Sequence, residues 1–140
     1  MQARRGELVD VLDGDGLIAA VDGVAAGVIM WTLGPDRSEA EVRAVAVTEA
    51  SRGRGIASAL LAAAESALQI ARVEHAWLVT TNDNLDALAL YQKAGWRLSQ
   101  LRAGALDDLR RTIKPSLPSM GQHRIPFRDE LELVRDLPRG

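Results

Sequence analysis

Between residues 47 and 56 the hydrophobic pattern changes its period, and that change restricts the chain more than any other feature. Residues 40–47 (AEVRAVAV) alternate as a strand does, with valines at 42, 45 and 47. From Ile56 onward Ile56, Leu60, Ala64, Ala67, Leu68 and Ala71 share one broad helical face, and alanine dominates the remainder. The next apolar stretch, HAWLVTT at 75–81, has no polar alternation and suits a central strand covered on both faces. A strand, a helix and a second strand in this order predict a right-handed crossover in an α/β layer.

The flanking sequence enlarges that unit. Residues 13–16 (DGDG) carry turn chemistry, 17–21 are apolar, Asp22-Gly23 is a two-residue hairpin signal, and 24–33 are apolar again. Gly34-Pro35-Asp36 marks another turn. A first strand fits residues 8–12. Beyond the crossover, Asn82-Asp83-Asn84 offers helix-capping side chains, 85–93 reads as a helix ended by Gly95, and 96–101 reads as a strand. Residues 105–111 suit a short helix, 114–125 with two prolines a loop, and 130–134 (ELELV) a closing strand. The expected architecture is α/β (α+β): a mixed, mostly antiparallel sheet flanked by helices, in one domain spanning 1–140.

Composition removes whole classes of function. The 140 residues contain no cysteine, so thiol catalysis, thiolate metal sites and disulfide scaffolds are excluded. His75 and His123, the two histidines, lie far apart without ligand spacing, so neither a metal site nor a Ser-His-Asp triad is expected. The longest run without a charged side chain, 23–35, is too short to span a bilayer, and two early arginines have no apolar run behind them. The expected compartment is the cytoplasm. A formal net charge of −2 gives no reason to expect nucleic-acid binding. Fifteen of the seventeen basic residues are arginine, a bias that a GC-rich genome yields without functional selection.

The chemistry concentrates at residues 52–57 (RGRGIA). Glycines let several backbone N–H groups point one way, and the helix N-terminus adds unpaired donors and a positive dipole end. Such a turn accepts a phosphate or pyrophosphate, with Arg52 and Arg54 beside it; it also serves as a plain tight turn with solvated arginines. A P-loop requires Lys-Ser/Thr after the last glycine, where this chain has Ile-Ala. A dinucleotide unit requires an acidic residue closing the next strand, which here ends in Thr80-Thr81.

Two blocks resemble the GCN5-related N-acetyltransferase (GNAT) superfamily. The first is Val45, Ala46 and Val47, a loop, then Arg52-x-x-Gly55-x-Ala57, which fits that family's acetyl-CoA signature and leads into Leu60-Leu61. The second is Asn84-x-x-Ala87-x-x-Leu90-Tyr91-x-Lys93-x-Gly95-Trp96, with Trp96 where Phe is commoner in the family. The resemblance spans residues 40–98. It implies that Arg52, Gly53, Arg54, Gly55, Ile56 and Ala57 hold the pyrophosphate of acetyl-CoA, and that its pantetheine arm pairs with the backbone of Val45, Ala46 and Val47. It further implies that Asn84 bonds the pantetheine region, that Tyr91 stands near the sulfur as general acid, and that Glu41 is the general base. Lys93 suits a CoA phosphate or a solvated helix end.

The implied reaction is acetyl transfer from acetyl-CoA, a co-substrate, to a primary amine of a small molecule or protein, by direct attack and without a metal. An alkylammonium with a pKa of roughly 10 must lose its proton before it attacks, which is why a base is required. Two other readings remain at this point: a non-catalytic acyl-CoA-binding or sensing domain, and an interaction module borrowing the fold. Family members usually carry a helix pair before the hairpin, which these residues have no room for. Part of the acceptor wall is therefore expected to be absent, to come from the arginine-rich segment 102–128, or to be donated by a second subunit, with a homo-oligomer, a dimer first, as the expected assembly. That segment reads otherwise as a salt-bridged surface, or as a recognition site for an acidic acceptor or the CoA 3′-phosphate.

Overall fold

The computed structural model describes residues 6–10 and 15–138. These gather into two compact units, one holding the described residues up to Trp77 with 136–138, the other holding Leu78–Arg135. Residues 11–14, part of the expected first strand and turn, lie outside the described residues.

In the first unit, β1 (Gly6–Asp10), β2 (Gly16–Val21), β3 (Val24–Leu33) and β4 (Glu39–Val47) follow one another as antiparallel neighbours. The β2–β3 turn has positive φ at both Asp22 (52°) and Gly23 (80°), the backbone twist that a tight two-residue hairpin requires. At the β3–β4 turn Arg37 N donates to Gly34 O at 3.0 Å. Ser38 N and Oγ both donate to Asp36 Oδ1, which holds that carboxyl below its ordinary pKa.

Helix α1 (Ile56–Ile70) crosses from β4 to β5 (His75–Thr81) and lies against β2, β3 and β4. Strands β4 and β5 are parallel, paired at Glu39–His75, Ala40–Ala76 and Glu41–Trp77. The buried stripe of α1 is Ile56, Leu60, Leu61, Ala64 and Leu68. Ala71, expected on that face, is instead the exposed C-cap, because the helix has already ended. Leu60, Leu61 and Leu68 are almost wholly buried, as is Ile29 of β3; removing each such side chain from water contributes roughly 1.5–3 kcal/mol. The chain end is tied to the same unit: Leu137 N donates to Glu74 O, Gln69 Nε2 to Pro138 O, and His75 Nδ1 lies 2.9 Å from Asp136 Oδ1.

The second unit holds Leu78 to Thr81 of β5, then α2 (Leu85–Lys93), β6 (Arg97–Arg102), α3 (Ala105–Thr112) and β7 (Glu130–Asp136) up to Arg135, with strand order β5-β7-β6. Strands β6 and β7 are antiparallel, with an irregularity between Leu98 and Gln100. Helix α2 ends as the glycine at 95 demands: Gly95 (φ 98°) donates to Gln92 O and Trp96 N to Tyr91 O, the paired bonds of a left-handed helix cap. Trp96 therefore precedes β6 rather than opening it, and it is buried. Trp31 is buried too, whereas Trp77 is only half-buried.

Residues 114–125, expected as plain loop, contain more order than that. Met120 and Pro126 form a bridge, Phe127 N donates to Ser119 O, and Gln122–Arg124 make a 3₁₀ turn. The observed fold is thus the mixed, mostly antiparallel sheet flanked by helices that the pattern predicts.

Candidate active site

Residues 52–57 form the turn expected between β4 and α1. Thr48 N donates to Ala26 O at 2.8 Å, a single 3₁₀ turn (Glu49–Ser51) follows, and Arg52 leaves it extended. Gly53 and Gly55 have φ of 79° and 75°. A Cβ at either would meet nothing within 4 Å, so these glycines are required for backbone conformation rather than for room. Gly55 is the N-cap of α1 and offers no side chain to the first turn, and the first intrahelical bond there is Ala59 N to Gly55 O. The amides of Ile56, Ala57 and Ser58 precede that bond and have no carbonyl of their own helix to reach. With Arg52 and Arg54 both exposed, the turn combines free donors, a helix dipole and two cations.

Strand β4 supplies the neighbouring backbone. Thr48 directs its N–H at β3, and by the two-residue alternation of an antiparallel ladder Ala46 does the same. Val45 and Val47 then direct theirs to the opposite side, where the ladder with β5 has its last pair at Glu41–Trp77. This separates three residues that the sequence had treated alike. Gly27, opposite Val47, brings α1 close: a Cβ there would lie 3.0 Å from Ala46 O, 3.1 Å from Leu60 Cδ1 and 3.2 Å from Ile56 Cγ2. Sequence reasoning missed Gly27. A glycine inside an apolar strand is the signal that could have found it.

Glu41 is half-buried on β4, its neighbours Ala40 and Val42 being buried on the opposite face. Arg43 Nη1 lies 3.8 Å from Glu41 Oε1. Glu41, Val45–47 and residues 52–57 thus belong to the first unit.

Asn84, Tyr91 and Lys93 belong to the second. Asn84 Oδ1 accepts from Ala87 N at 3.3 Å and caps α2. Tyr91 is 8% exposed, and burial pushes its phenol pKa up, so the hydroxyl stays protonated well past neutrality. Its ring is tilted 52° to that of Trp96 at a centroid distance of 6.0 Å. Among the described residues the Trp96 indole N–H is buried without a partner. Lys93 is exposed at the last turn of α2, where its charge complements the helix dipole.

Asn82 and Asp83 were expected as further caps, but they turn to the segment 114–129 instead. Asn82 Nδ2 donates to Pro126 O, and Asn82 Oδ1 accepts from Arg128 N and Asp129 N. Asp83, buried, accepts from Thr81 Oγ1 at 2.5 Å and Gln122 N at 2.8 Å. The arginines of 102–128 are divided: Arg102, Arg110 and Arg111 pair with Glu132, Asp107 and Asp108. Among the described residues no group of His, Asp and Glu is arranged to hold a metal, and no helix is long and apolar enough to cross a membrane.

The model of the acetyltransferase (GNAT) family matches residues 4–96, well over half of the chain and both motif blocks. The chain belongs to the GNAT family. Membership in this family of acetyltransferases implies an acyltransferase. An uncharacterized protein of Bacillus subtilis (strain 168), YxbD, is 38% identical over 128 residues, covering 91% of this chain and 77% of its own. Among solved structures, a GNAT fold is shared with a Bacillus subtilis acetyltransferase in complex with CoA (TM-score 0.76, 22% identity, 96% of this chain and 78% of that one). A GNAT family acetyltransferase from Elizabethkingia anophelis with acetyl-CoA bound is similar as well (TM-score 0.74, 22% identity, 95% and 77%).

Proposed function

We propose that this GNAT protein is an N-acetyltransferase that moves the acetyl group of acetyl-CoA to a primary amine by direct attack. The observation that carries the reading is the turn at 52–57: two open, left-handed glycines and the unpaired first-turn amides of a fifteen-residue helix, flanked by Arg52 and Arg54. A pyrophosphate fits that chemistry through backbone donors and flanking charge. The relatives crystallised with CoA or acetyl-CoA share the fold that presents this turn.

The remaining roles follow from what each group can do. Val45 and Val47 offer the backbone donors and acceptors that an extended amide arm takes as a strand would. Of the β4 amides, that of Val47 is the better donor to a developing oxyanion, because Ala46 is engaged toward β3. Asn84 uses its side-chain oxygen on α2 and keeps its NH2 for the pantetheine. Glu41 takes the proton of the acceptor ammonium, directly or through water. Tyr91, kept protonated by burial, supplies a proton to the departing thiolate. Ile56 and Ala57 contribute main-chain donors at the pyrophosphate, and Lys93 a charge for a CoA phosphate. Residues 1–140 act as one domain, a reading supported by the family match running across the Trp77–Leu78 division. A homodimer is supported by Leu98 and Leu101, 52% and 62% exposed on β6, and sedimentation at micromolar concentration tests it.

Calorimetry with acetyl-CoA, followed by an amine panel monitored for free CoA, tests the reading. The Arg52→Ala/Arg54→Ala variant is expected to raise KM for acetyl-CoA about tenfold or more, with activity recovered at high co-substrate. Glu41→Gln is expected to lower kcat roughly 10²- to 10⁴-fold while co-substrate affinity holds. Binding without transfer to any amine would favour a sensing domain, and no binding at all an interaction module.

A further inference from the structure

Helix α1 covers one face of β2, β3 and β4, and the other face carries a group of side chains that the fold does not use. A Cβ at Gly27 would point at Leu60 and Ile56 of α1, and Ile29 and Trp31, two and four residues on, are buried on that side. Met30 and Thr32 therefore stand on the opposite face, and both are exposed. The β3–β4 register sets Ala44 opposite Met30 and Glu41 opposite Thr32, so these share the uncovered face. The parallel register with β5 adds Trp77, the partner of Glu41, half-buried between the buried Ala76 and Leu78. All of these residues belong to the first unit.

Arg43 completes the group. Met30 pairs with Ala44 and Trp31 with Val42, so Arg43 is the extra residue of a β-bulge, a device that re-aims side chains. Its guanidinium lies on the side of Glu41, with Nη1 3.8 Å from Glu41 Oε1. That is an ion pair, too long for a hydrogen bond. Among the described residues neither side chain has a hydrogen-bond partner, so a carboxylate and a guanidinium stand side by side with their acceptors and donors unspent. An open, exposed pair of this kind contributes little to stability. The bulge also sets what surrounds it: beyond Arg43 the alternation of β4 reverses, and Ala44 and Ala46, rather than Val45 and Val47, line the uncovered face. With Met30 and Trp77 they form a low apolar shelf beside the two charges.

We infer that Arg43 determines specificity by taking the carboxylate of an acceptor whose ammonium goes to Glu41, and that this acceptor is an α-amino acid with an apolar side chain laid against Trp77 and Met30. The inference deepens the acetyltransferase reading and rests on it, Glu41 being the base there. In an α-amino acid the nitrogen and the carboxylate carbon are about 2.5 Å apart, so both charges meet the Glu41–Arg43 pair side by side. The planar fork of a guanidinium matches the carboxylate. One ammonium proton passes through Glu41 to solvent, and the neutral amine attacks the acetyl carbon of acetyl-CoA. The N–C bond forms as the C–S bond breaks, and the second proton lost by nitrogen ends on the CoA thiol. The product is an N-acetyl amino acid.

The test uses the full chain, acetyl-CoA and two matched pairs, phenylalanine with phenethylamine and leucine with isopentylamine. The readout is the ratio of kcat/KM for the amino acid to that for its neutral partner, in which any loss of folded protein cancels. The wild type is expected to favour the amino acids about tenfold or more, and Arg43→Gln to lower the ratio by a similar factor. Phenylalanine is expected to be used better than glycine, and Trp77→Ala to narrow that preference. Transfer to neutral amines with no preference for the amino acids, or a ratio unchanged in Arg43→Gln, overturns the inference and leaves the acetyltransferase standing. Glycine used as well as phenylalanine overturns the part given to Trp77 and Met30. Transfer to none of these or any other amine overturns both readings.

Discussion

Gly27→Ala is the substitution in which fold and function are most tightly coupled. An alanine in a strand is ordinarily favoured over glycine by roughly 0.5–1 kcal/mol, so with free space the variant would be the more stable protein. Here the added methyl would meet Ala46 O at 3.0 Å, Leu60 Cδ1 at 3.1 Å and Ile56 Cγ2 at 3.2 Å. The two side chains belong to the first turns of α1 and have some freedom, but the carbonyl oxygen is part of the β3–β4 ladder and moves only with the strand. Overpacking of this kind costs about 1–3 kcal/mol, which leaves a net loss of up to about 2.5 kcal/mol after the glycine term is returned. For 140 residues the entropy of unfolding is about 0.3 kcal/mol per degree, so Tm should fall, by up to roughly 8 °C, in a thermal melt followed by circular dichroism. Because the displaced atoms lie at Ala46 and the start of α1, KM for acetyl-CoA should rise more than KM for the amine. In a Leu60→Ala background one of the three contacts is gone, and the cost of Gly27→Ala should shrink measurably. A Gly27→Ala protein more stable than the wild type, the outcome expected with free space, would refute the close approach and the positioning of the turn derived from it.

Other substitutions test separate parts of the account. At Gly55, where a side chain meets open space but φ is 75°, Ala should cost about 1–2 kcal/mol and Asn less, because Asn tolerates the left-handed region; urea titration gives the order. Burial raises the Tyr91 pKa, so above its unfolded value near 10.0 the unfolded state holds fewer protons than the native one. The stabilisation is full below that pH and is lost as pH rises through the native pKa; melts above pH 10 should show Tyr91→Phe falling less steeply than the wild type. Trp96→Phe deletes a buried, unpartnered N–H along with part of a ring. The relief of about 1–3 kcal/mol should offset much of the lost packing, so a chemical melt within about 1.5 kcal/mol of wild type is expected rather than a full cavity cost. Arg110→Ala removes three carbonyl partners and an ion pair at once, and faster tryptic cleavage within 114–128 should report it.

Much was legible in the sequence because it was local. The period change around residues 48–55, the Asp22-Gly23 hairpin, the Gly95 helix stop and the strand at 75–81 all depend on near neighbours, and they stand where the residues put them. The RGRGIA turn belongs here too: only glycine accepts φ of 75–79° without strain, whatever lies around it. What depended on chain segments distant in sequence was not readable. Three adjacent polar residues, Asn82, Asp83 and Asn84, look interchangeable as helix caps, yet only Asn84 caps α2. The other two hold backbone about forty residues onward, because a buried carboxylate must find donors wherever the fold brings them. Likewise Val45, Ala46 and Val47 form one motif by composition, and only pairing with β3 decides which of them directs its backbone groups away from that strand. Sequence alone determined the elements and the glycine turn at 52–57, since these obey short-range sterics and periodicity. The tertiary structure alone decided which amides remain free and which loop is fastened at the end of β5, since hydrogen-bond satisfaction in a folded chain is settled between residues that are neighbours only in space.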